Sequence, residues 1–392
     1  MFGKQLKTKF LFISFFLLVL VGRLALTPRL KLKDNQSVRI TGRLNEEPQV
    51  VSGWQSFRLG QFRIITDRYP GYHYGEELEI IGKVKIKNYL LGYPEIKVIE
   101  REEPAWSFRG WTIKLAEKIK TVFKQTLPSP YDGIISGIVL GDKSLIPAGF
   151  WERLKLTGTL HIMVASGMNV ALLGGAVLSL LTFLVKRRTA ILIAIVVIYI
   201  YSIMTGLTPP ITRAAIMVSL IYLSQLLGRE GAPARILWLT GLMMVLGNPF
   251  LLLDIGFQLS FMATAGLVYL QPSLQESKNR LLRSPNFSST LAAQIFTLPI
   301  LVGNFGQLNL ISPVINLAIL WTVPLILMAG MVIGLLGILW GILAIIASYL
   351  AFPLLIYLEQ TVNFFAKMTI FQLQLPKVGW WLGAGYYLIL LT

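Results

Sequence analysis

Long apolar segments dominate this sequence and restrict it to folds that cross a lipid bilayer. A spanning helix needs about 20 mostly apolar residues, because each residue advances the helix by about 1.5 Å through about 30 Å of hydrocarbon. Segments without a single charged residue are Ala190–Met204, Ala214–Leu227, Ile236–Leu253, Leu291–Val302 and Val314–Trp340. Only 14% of the residues are charged, and 54% are hydrophobic. The pattern predicts a polytopic α-helical membrane protein with roughly nine to eleven spans.

The N-terminus has the features of a membrane anchor. Three lysines, at positions 4, 7 and 9, precede the apolar run Phe10–Leu26. A cleaved signal peptide is the alternative, but Arg23 stands where a small-residue cleavage site would be needed. We therefore predict that residues 1–30 form an uncleaved anchor whose N-terminus is cytoplasmic, since positive charge stays inside.

Residues 33–104 have a different composition, in which charges are frequent and apolar residues alternate with polar ones. Leu78, Ile80 and Val84, for example, alternate around Gly82. A period of two residues is typical of half-buried strands, and glycines allow barrel strands to bend. The segment predicts roughly five short strands in a small β-barrel of the OB type.

The next segment, residues 106–127, predicts an amphipathic and cationic helix. Apolar residues recur at helical spacing, while the lysines fall largely on the other side. Such a helix often lies flat in the membrane interface, although it can also pack on a neighbouring barrel. Residues 130–392 then form the polytopic membrane domain.

A net charge of +17 admits two readings. One is attraction to anionic lipid headgroups, and the other is an anionic substrate such as nucleic acid. OB folds bind single strands through basic grooves and stacking aromatic side chains, unless those aromatics serve as core or membrane contacts. The candidates in the β domain are Trp54, Phe57, Tyr69, Tyr72 and Tyr74, with Arg58, Arg63 and Arg68.

Basic clusters predict the orientation of the membrane domain. They lie at 186–188, at Arg229 and Arg235, and at 278–283. If all three are cytoplasmic, two spans separate each cluster from the next. This arrangement places the β domain outside the membrane, together with the turn 205–212 and the region of Asp254.

Two stripes of small residues indicate close helix packing. Gly167, Ala171 and Gly175 form the first, and the second is built from glycines. Small residues at this spacing allow membrane helices to approach each other. The second stripe consists of Gly330, Gly334, Gly337 and Gly341.

Polar residues within the spans are the strongest functional candidates, because ionisable groups in a bilayer usually face a bundle interior or a hydrated cavity. The ionisable ones are His161, Arg213, Asp254 and Glu359, accompanied by Ser166, Asn169, Gln258, Ser260, Asn304 and Asn316. The predicted topology brings Arg213 and Asp254 to the same face of the membrane. They can form a structural ion pair or line a path.

Enzymatic readings have little support in the sequence. Ala165-Ser166-Gly167 is similar to intramembrane serine proteases, but a nucleophilic serine needs a base within hydrogen-bond reach. On a straight helix His161 would face elsewhere. No cysteine and two histidines make a metal site improbable, and the glycines near Lys143 do not match phosphate-loop spacing. We expect no catalytic residue, metal or cofactor.

Several ordered motifs together resemble the ComEC family of competence channels. The signature segment is Thr157–Val170, with its Gly, His, Ser and Gly in order. Further similarities are Leu140-Gly141-Asp142, Thr205-Gly206 with Arg213-Ala214, Asp254-Ile255-Gly256-Phe257-Gln258-Leu259-Ser260, Asn304-Phe305-Gly306, Pro313 and Asn316. The preceding β segment is similar to the OB-like insertion of that family.

This resemblance implies an inner-membrane channel that passes single-stranded DNA into the cytoplasm during natural transformation. Its functional residues map onto Asp142, His161, Ser166, Gly167, Arg213, Asp254, Gln258 and Ser260. Asn169 departs from the family, which often has a second histidine there. The metallo-β-lactamase-like domain of longer members has no counterpart here, so a separate nuclease is expected. A DNA receptor outside and a cytoplasmic ATPase or helicase are the other expected partners. An intramembrane serine hydrolase and a membrane scaffold remain the alternatives.

Overall fold

The structure is a computed structural model in which not every residue is described. It describes residues 34–44, 48–51, 53–60, 62–85, 90–100, 107–163, 166–229, 231–305, 307–309, 312–368, 372–374 and 386. The predicted anchor run Phe10–Leu26 lies outside the described residues. Ile86, which continues the sequence alternation of Leu78, Ile80 and Val84, also lies outside them.

The N-terminal β domain is a single curled sheet. Its strands are β1 (Ser37–Arg43), β2 (Gln49–Val51), β3 (Trp54–Leu59), β4 (Phe62–Asp67), β5 (Glu77–Lys85), β6 (Leu90–Gly92) and β7 (Glu95–Glu100). They follow the order β1-β5-β6-β4-β3-β2, and β7 pairs with β5 beside this path. The sheet curls into a half-barrel, which agrees with the OB-like expectation but contains seven strands instead of five.

Alternation along the strands builds the core of the β domain. In β5 the side chains of Leu78, Ile80 and Val84 are fully buried, whereas Gly82 and the charged neighbours between them are not. A Cβ at Gly82 would lie 2.7 Å from Pro94 Cβ, so the strand can pass the turn only without a side chain. The predicted strand pattern is therefore confirmed.

The rest of the described chain is mostly helical. The helices are α1 (Phe108–Thr126), α2 (Tyr131–Leu140), α3 (Ala148–Thr157), α4 (Gly167–Thr182), α5 (Arg187–Met204), α6 (Pro209–Leu226), α7 (Pro233–Gly247), α8 (Ile255–Tyr269), α9 (Gln271–Gln275), α10 (Arg280–Arg283), α11 (Pro285–Phe305), α12 (Ser312–Ile319), α13 (Thr322–Leu339) and α14 (Gly341–Ala366). Short 3₁₀ turns lie at Leu160–Met163 and Pro249–Leu253, and strands β8 (Gln307–Asn309) and β9 (Gln372–Gln374) pair with each other.

Four described helices are long and apolar enough to cross a membrane, namely α5, α11, α13 and α14. Four shorter apolar helices, α2, α4, α7 and α8, accompany them. The outer faces are apolar as well, and Leu350 of α14 exposes 78% of its surface. Such faces are stable only against lipid or another protein. The chain is thus a multi-pass membrane protein, and the described residues provide fewer full-length spans than the nine to eleven predicted.

Helix α1 packs on the helical domain. Its buried residues Ile119, Val122 and Phe123 belong to the same core as α2, α13 and α14, whereas Phe108 and Trp111 near its start are half exposed. At its N-cap, Ser107 Oγ accepts a hydrogen bond from the Gly110 amide. The predicted helix is confirmed, but much of its apolar face is covered by protein, which neither the interfacial reading nor packing on the barrel anticipated.

The second glycine stripe is a helix contact, as predicted, along most of its length. A Cβ at Gly334 would lie 2.9 Å from Ile119 of α1, and one at Gly337 would overlap Val122. Gly330 faces α2 in the same way, whereas nothing lies within 4 Å of a Cβ at Gly341. Three of the four glycines therefore set the distance between α13 and the helices α1 and α2.

Helix α5 separates the β domain from the first basic cluster. Its last turn, at Met204, lines the same cavity as His73 of the β domain, and its first residue is Arg187. Eighteen helical residues extend about 27 Å, close to the thickness of the hydrocarbon layer. Arg187 Nη2 donates to Gln225 Oε1 at the end of α6, 3.2 Å away. The β domain and the basic cluster therefore lie at opposite ends of these helices.

Candidate functional site

A cleft of about 370 Å³ lies where the β domain meets the helical domain, and we call it the interdomain cleft. Its walls come from the β domain, from α1, from the loop after α2 and from the end of α5. The loop after α2 begins with the predicted motif Gly141-Asp142, and α5 ends on the predicted turn Thr205-Gly206. Two motifs that are distant in sequence thus line one cavity. The polar residues of the lining are Gln49, Gln55, His73, Arg109, Glu117, Lys120, Asp142, Lys143, Ser144 and Thr205.

Asp142 holds together the loop after α2, which lines the interdomain cleft. One carboxylate oxygen accepts from the Ser144 amide at 2.8 Å, and the other accepts from the Ser144 hydroxyl at 3.0 Å. Lys120 of α1 reaches the same carboxylate at 2.6 Å and lies 3.5 Å from Glu117. Asp142 therefore shapes its own loop and ties that loop to α1.

A buried hydrogen-bond network fixes the helix that leads into this loop. Asn169 Nδ2 donates to the Ile138 carbonyl at 2.7 Å, and the Tyr201 hydroxyl donates to the Val139 carbonyl at 2.9 Å. Both acceptors belong to the last turn of α2, whose carbonyls lack partners within the helix. Asn169 and Tyr201 are almost completely buried. Helices α4 and α5 thereby hold α2 and position Asp142.

Ser166 and His161 do not form a nucleophile and base pair. Ser166 precedes α4 as its N-cap residue, and its hydroxyl donates to Asn169 Oδ1 at 3.2 Å. His161 lies in a separate 3₁₀ turn, where Nδ1 is 3.1 Å from the Gly158 carbonyl. The prediction that they face different directions on one straight helix was wrong in its geometry, because the helix begins only after Ser166.

Arg213 connects three of the predicted motifs. Its Nη1 donates to the Ser260 carbonyl of α8, and a Cβ at Gly167 would lie 2.7 Å from its Nη2. Only glycine therefore allows the guanidinium to lie against the first turn of α4. The buried Nε has no hydrogen-bond partner among the described residues.

The suggested Arg213–Asp254 pair is not formed, because Asp254 has other partners. Its carboxylate caps α8 by accepting from the Phe257 amide at 2.9 Å, and it lies 3.0 Å from Arg58 Nη2 of the β domain. Gln258 donates to the Leu252 carbonyl at 2.7 Å and closes the preceding 3₁₀ turn. Asp254 is thus a helix cap that also contacts the β domain.

Strands β3 and β4 dock the β domain on the helical domain. Trp54 packs against the helical core, and Arg58 reaches Asp254. Arg63 is the cross-strand partner of Arg58 in the sheet register, and its charge acts on Lys143 of the interdomain cleft. The hairpin therefore spans the distance between the loop after α2 and the start of α8.

The predicted base-stacking surface of the β domain is only partly available. Phe57 and Tyr72 expose 2% and 5% of their surfaces and pack edge to face in the barrel core, so the prediction that they stack on bases was wrong. Burial, helped by Glu76, raises the pKa of the Tyr72 hydroxyl. Tyr69 is 77% exposed beneath Arg68, with 5.6 Å between the guanidinium carbon and the ring centroid.

Other candidate residues have local roles. Glu359 accepts from Asn363 Nδ2 at 3.3 Å, and Asn304 Nδ2 donates to the Ile300 carbonyl at 2.9 Å. Asn316 is buried, and its Oδ1 has no partner among the described residues. No group of three or more His, Cys, Asp or Glu side chains that could hold a metal is found in the described ranges.

Sequence reasoning missed Arg109, Lys120, Lys143 and Tyr201. Lys143 stood in the glycine-containing segment that was set aside because its spacing does not match a phosphate loop. Arg109 and Lys120 belong to the amphipathic helix, whose cations were expected to face lipid headgroups. A tyrosine in an apolar run gives no signal of its hydrogen-bond partner, so Tyr201 could not have been found.

Comparison with known proteins identifies relatives of the helical domain. The family described as "Competence protein" matches residues 138–392. ComE operon protein 3 of Bacillus subtilis is 26% identical over 231 residues, which is 59% of this chain and 30% of that protein. Competence protein ComA of Neisseria gonorrhoeae is 24% identical over 225 residues, covering 54% of this chain and 31% of the relative.

A third relative is Recombination protein 2 of Haemophilus influenzae, which is 25% identical over 177 residues, or 42% of this chain and 22% of that protein. The matched segments thus span between about a fifth and a third of these curated relatives. No solved structure matches the chain.

Proposed function

The chain belongs to the competence protein family, and on this premise we propose that it is an inner-membrane channel that passes single-stranded DNA into the cytoplasm during natural transformation. The observation that carries the proposal is the family match over residues 138–392, which contain every helix from α3 to α14. Apolar outer faces and polar side chains directed inward at Asn169, Tyr201 and Arg213 support a membrane bundle with a polar interior.

The proposed orientation places the β domain outside the cytoplasm. Positive charge is retained on the cytoplasmic side, and the basic residues at 186–188 lie at the end of α5 that is remote from the β domain. The strand would then meet the β domain and the interdomain cleft before it reaches the helical domain. A receptor for DNA is expected on that side.

Transport of DNA requires an energy source. Moving one phosphate charge into a negative cytoplasm costs about 2.3 kcal/mol per 100 mV, so a passive pore cannot take up a long strand. We expect a cytoplasmic ATPase or helicase that pulls the strand, and a separate nuclease that removes its complement.

Transport is favoured over hydrolysis by the surroundings of Ser166. Its hydroxyl donates to the amide oxygen of Asn169, which is not a base, and that amide in turn holds the backbone of α2. A serine nucleophile needs a general base in this position. We propose that Ser166 and Asn169 have a structural role in a channel.

The test is deletion of the gene in a naturally transformable host, followed by complementation with the wild-type chain. We expect deletion to abolish uptake of labelled DNA into a nuclease-protected state while leaving DNA bound at the cell surface. Complementation should restore protected DNA and transformants. Normal transformation by the deletion strain would contradict the proposal, and loss of surface binding together with uptake would favour a scaffold for the receptor.

A further inference from the structure

The charges that line the interdomain cleft are unevenly matched. Both carboxylates of the lining, Glu117 and Asp142, are engaged by one lysine, Lys120. Lys143 and Arg109 line the same cavity, and neither forms an ion pair with any described residue. With three cations and two carboxylates, the described lining carries an excess of positive charge, and Lys143 and Arg109 are the cations outside its ion pairs.

Lys143 is the more costly of the two to leave uncompensated. Its side chain is half-buried, with the ammonium 5.9 Å from the ring centroid of Trp151. Burial lowers the pKa of this ammonium, Arg63 of β4 lowers it further, and Asp142 opposes them. A cation placed in a partly desolvated site beside another cation is unfavourable unless an anion joins it.

The second cation of the lining is held in place by an aromatic ring. Arg109 lies at the start of α1, with its guanidinium carbon 5.9 Å from the ring centroid of Tyr74. Tyr74 is in turn 3.4 Å, oxygen to oxygen, from Ser107, which caps α1. The guanidinium is thereby positioned at the cavity without being neutralised.

The shape and the remaining lining define the kind of anion. A volume of about 370 Å³ is at the lower end of small-molecule sites and suits a nucleotide-sized group. The aromatic ring of the lining, Tyr72, is packed against Phe57 and has no face free to stack on a base. Lysine and arginine without an aromatic platform recognise phosphates, whose contacts carry no sequence information.

We infer that the interdomain cleft is a phosphate-binding site for the backbone of single-stranded nucleic acid, in which Lys143 and Arg109 contact phosphates and Arg63 adds charge at the edge. The identity of the anion rests on the proposed function. The site differs from the stacking surface expected of an OB fold, because it lies between the domains and binds without reading bases.

The experiment measures binding of a short fluorescent oligothymidylate to the full chain in lipid nanodiscs, as a function of salt. Each phosphate contact on a single strand contributes about 0.7 to the slope of log affinity against log salt, which is roughly 5-fold in affinity at about 0.1 M salt. We expect Lys143→Gln and Arg109→Gln each to lower the affinity roughly 5-fold and to reduce the salt slope by about 0.7. Lys143→Arg should retain binding, and an abasic oligonucleotide should bind as tightly as oligothymidylate.

The matched control is Lys155→Gln. Lys155 is an exposed lysine of α3 that pairs with Glu152 at 2.8 Å and does not line the cleft. Its removal should leave both affinity and salt slope unchanged. Thermal unfolding of every variant separates a lost contact from a lost fold.

The outcomes distinguish the site from the function. Unchanged affinity and slope in folded Lys143→Gln and Arg109→Gln would overturn the phosphate site, even if deletion of the gene abolished DNA uptake. Much weaker binding of the abasic oligonucleotide would overturn the backbone mode. Weaker, less salt-dependent binding by Lys143→Gln and Arg109→Gln, combined with normal DNA uptake in the deletion strain, would support the phosphate site and overturn the DNA-uptake role.

Discussion

Asn169 shows how one buried amide can order a motif that lies elsewhere in the sequence. Its side chain is 1% exposed and donates to the Ile138 carbonyl at the end of α2. Replacement by leucine removes the donor and leaves that carbonyl buried without a partner, which costs about 1–3 kcal/mol. We expect Asn169→Leu to lower the thermal unfolding midpoint of the purified protein and to reduce transformation.

The comparison for this prediction is Asn304→Leu. Asn304 also donates to a backbone carbonyl, Ile300 at 2.9 Å, but its side chain is exposed. The Ile300 carbonyl lies inside α11, so the helix backbone still supplies a partner when the side chain is removed. Its unfolding midpoint should stay close to that of the wild type. Equal midpoints for the two leucine variants would show that the Asn169 network does not stabilise α2.

Asp254 has two roles that substitutions can separate. Asparagine retains an oxygen that caps α8 but removes the charge facing Arg58, whereas alanine removes both. Loss of an N-cap costs about 0.5–2 kcal/mol, and an exposed ion pair contributes about 0–1 kcal/mol. We therefore expect the unfolding midpoint to be highest in the wild type, slightly lower in Asp254→Asn and lowest in Asp254→Ala. The drop from asparagine to alanine should exceed the drop from the wild type to asparagine. A charge-swapped Arg58→Asp, Asp254→Arg protein should not recover the cap, and its full recovery would contradict this division.

At the level of single residues, the sequence indicated which polar residues need a specific environment, but it did not indicate their hydrogen-bond or ion-pair partners. Arg213 and Asp254 were recognised as costly charges in apolar surroundings, and both occupy ordered polar environments. Their partners were not predictable, because a carbonyl of α8 and an arginine of a distant β-strand carry no marker in the sequence. The sequence left Phe57 and Tyr72 open to stacking or to the core, and only the curvature of the sheet decides.

Among the elements, the contact between α13 and α1 is the one most easily tested. A Cβ at Gly337 would overlap Val122, and overpacking of this kind costs typically about 1–3 kcal/mol. We expect Gly337→Ala to lower the unfolding midpoint and the amount of folded protein in membranes. Gly341→Ala is the control, since a Cβ there has nothing within 4 Å.

Removal of the opposing side chain provides the second arm of this test. Val122→Ala alone should destabilise the protein through lost packing, but combined with Gly337→Ala it should recover part of the loss, because the two methyl groups of Val122 are the nearest obstacles. Additive losses in the double variant would mean that the helices are not in contact along this stripe.

The types of the elements followed from the sequence, whereas their packing did not. Alternation around Gly82 predicted β5, and the amphipathic period predicted α1. The face that α1 presents to α13 is apolar, and an apolar face is equally suited to lipid and to a glycine-lined helix. Hydropathy cannot distinguish these surroundings, so the glycine stripe was expected to pack on a helix, but α1 was expected in the interface and was not recognised as its partner.

The interdomain cleft is a property of the whole molecule. Its cations come from α1 and from the loop after α2, and its remaining walls from the β domain and from the end of α5. Each cation alone resembles an ordinary solvated or interfacial lysine or arginine. The cavity that they line forms only when the β domain is docked by Trp54 and Arg58, a contact that no local pattern encodes.

The orientation of the molecule in the membrane can be measured without background, because the chain contains no cysteine. Arg68 is exposed in the β domain, and Arg188 and Arg280 are exposed in the basic clusters. About 27 Å of α5 separates the cleft from the first of these clusters. We expect Arg68→Cys to react with a membrane-impermeant maleimide in intact spheroplasts, and Arg188→Cys and Arg280→Cys to react only after permeabilisation. Labelling of all three before permeabilisation would contradict the separation along α5, whereas protection of Arg68→Cys alone would invert the proposed orientation and place the phosphate site on the cytoplasmic face.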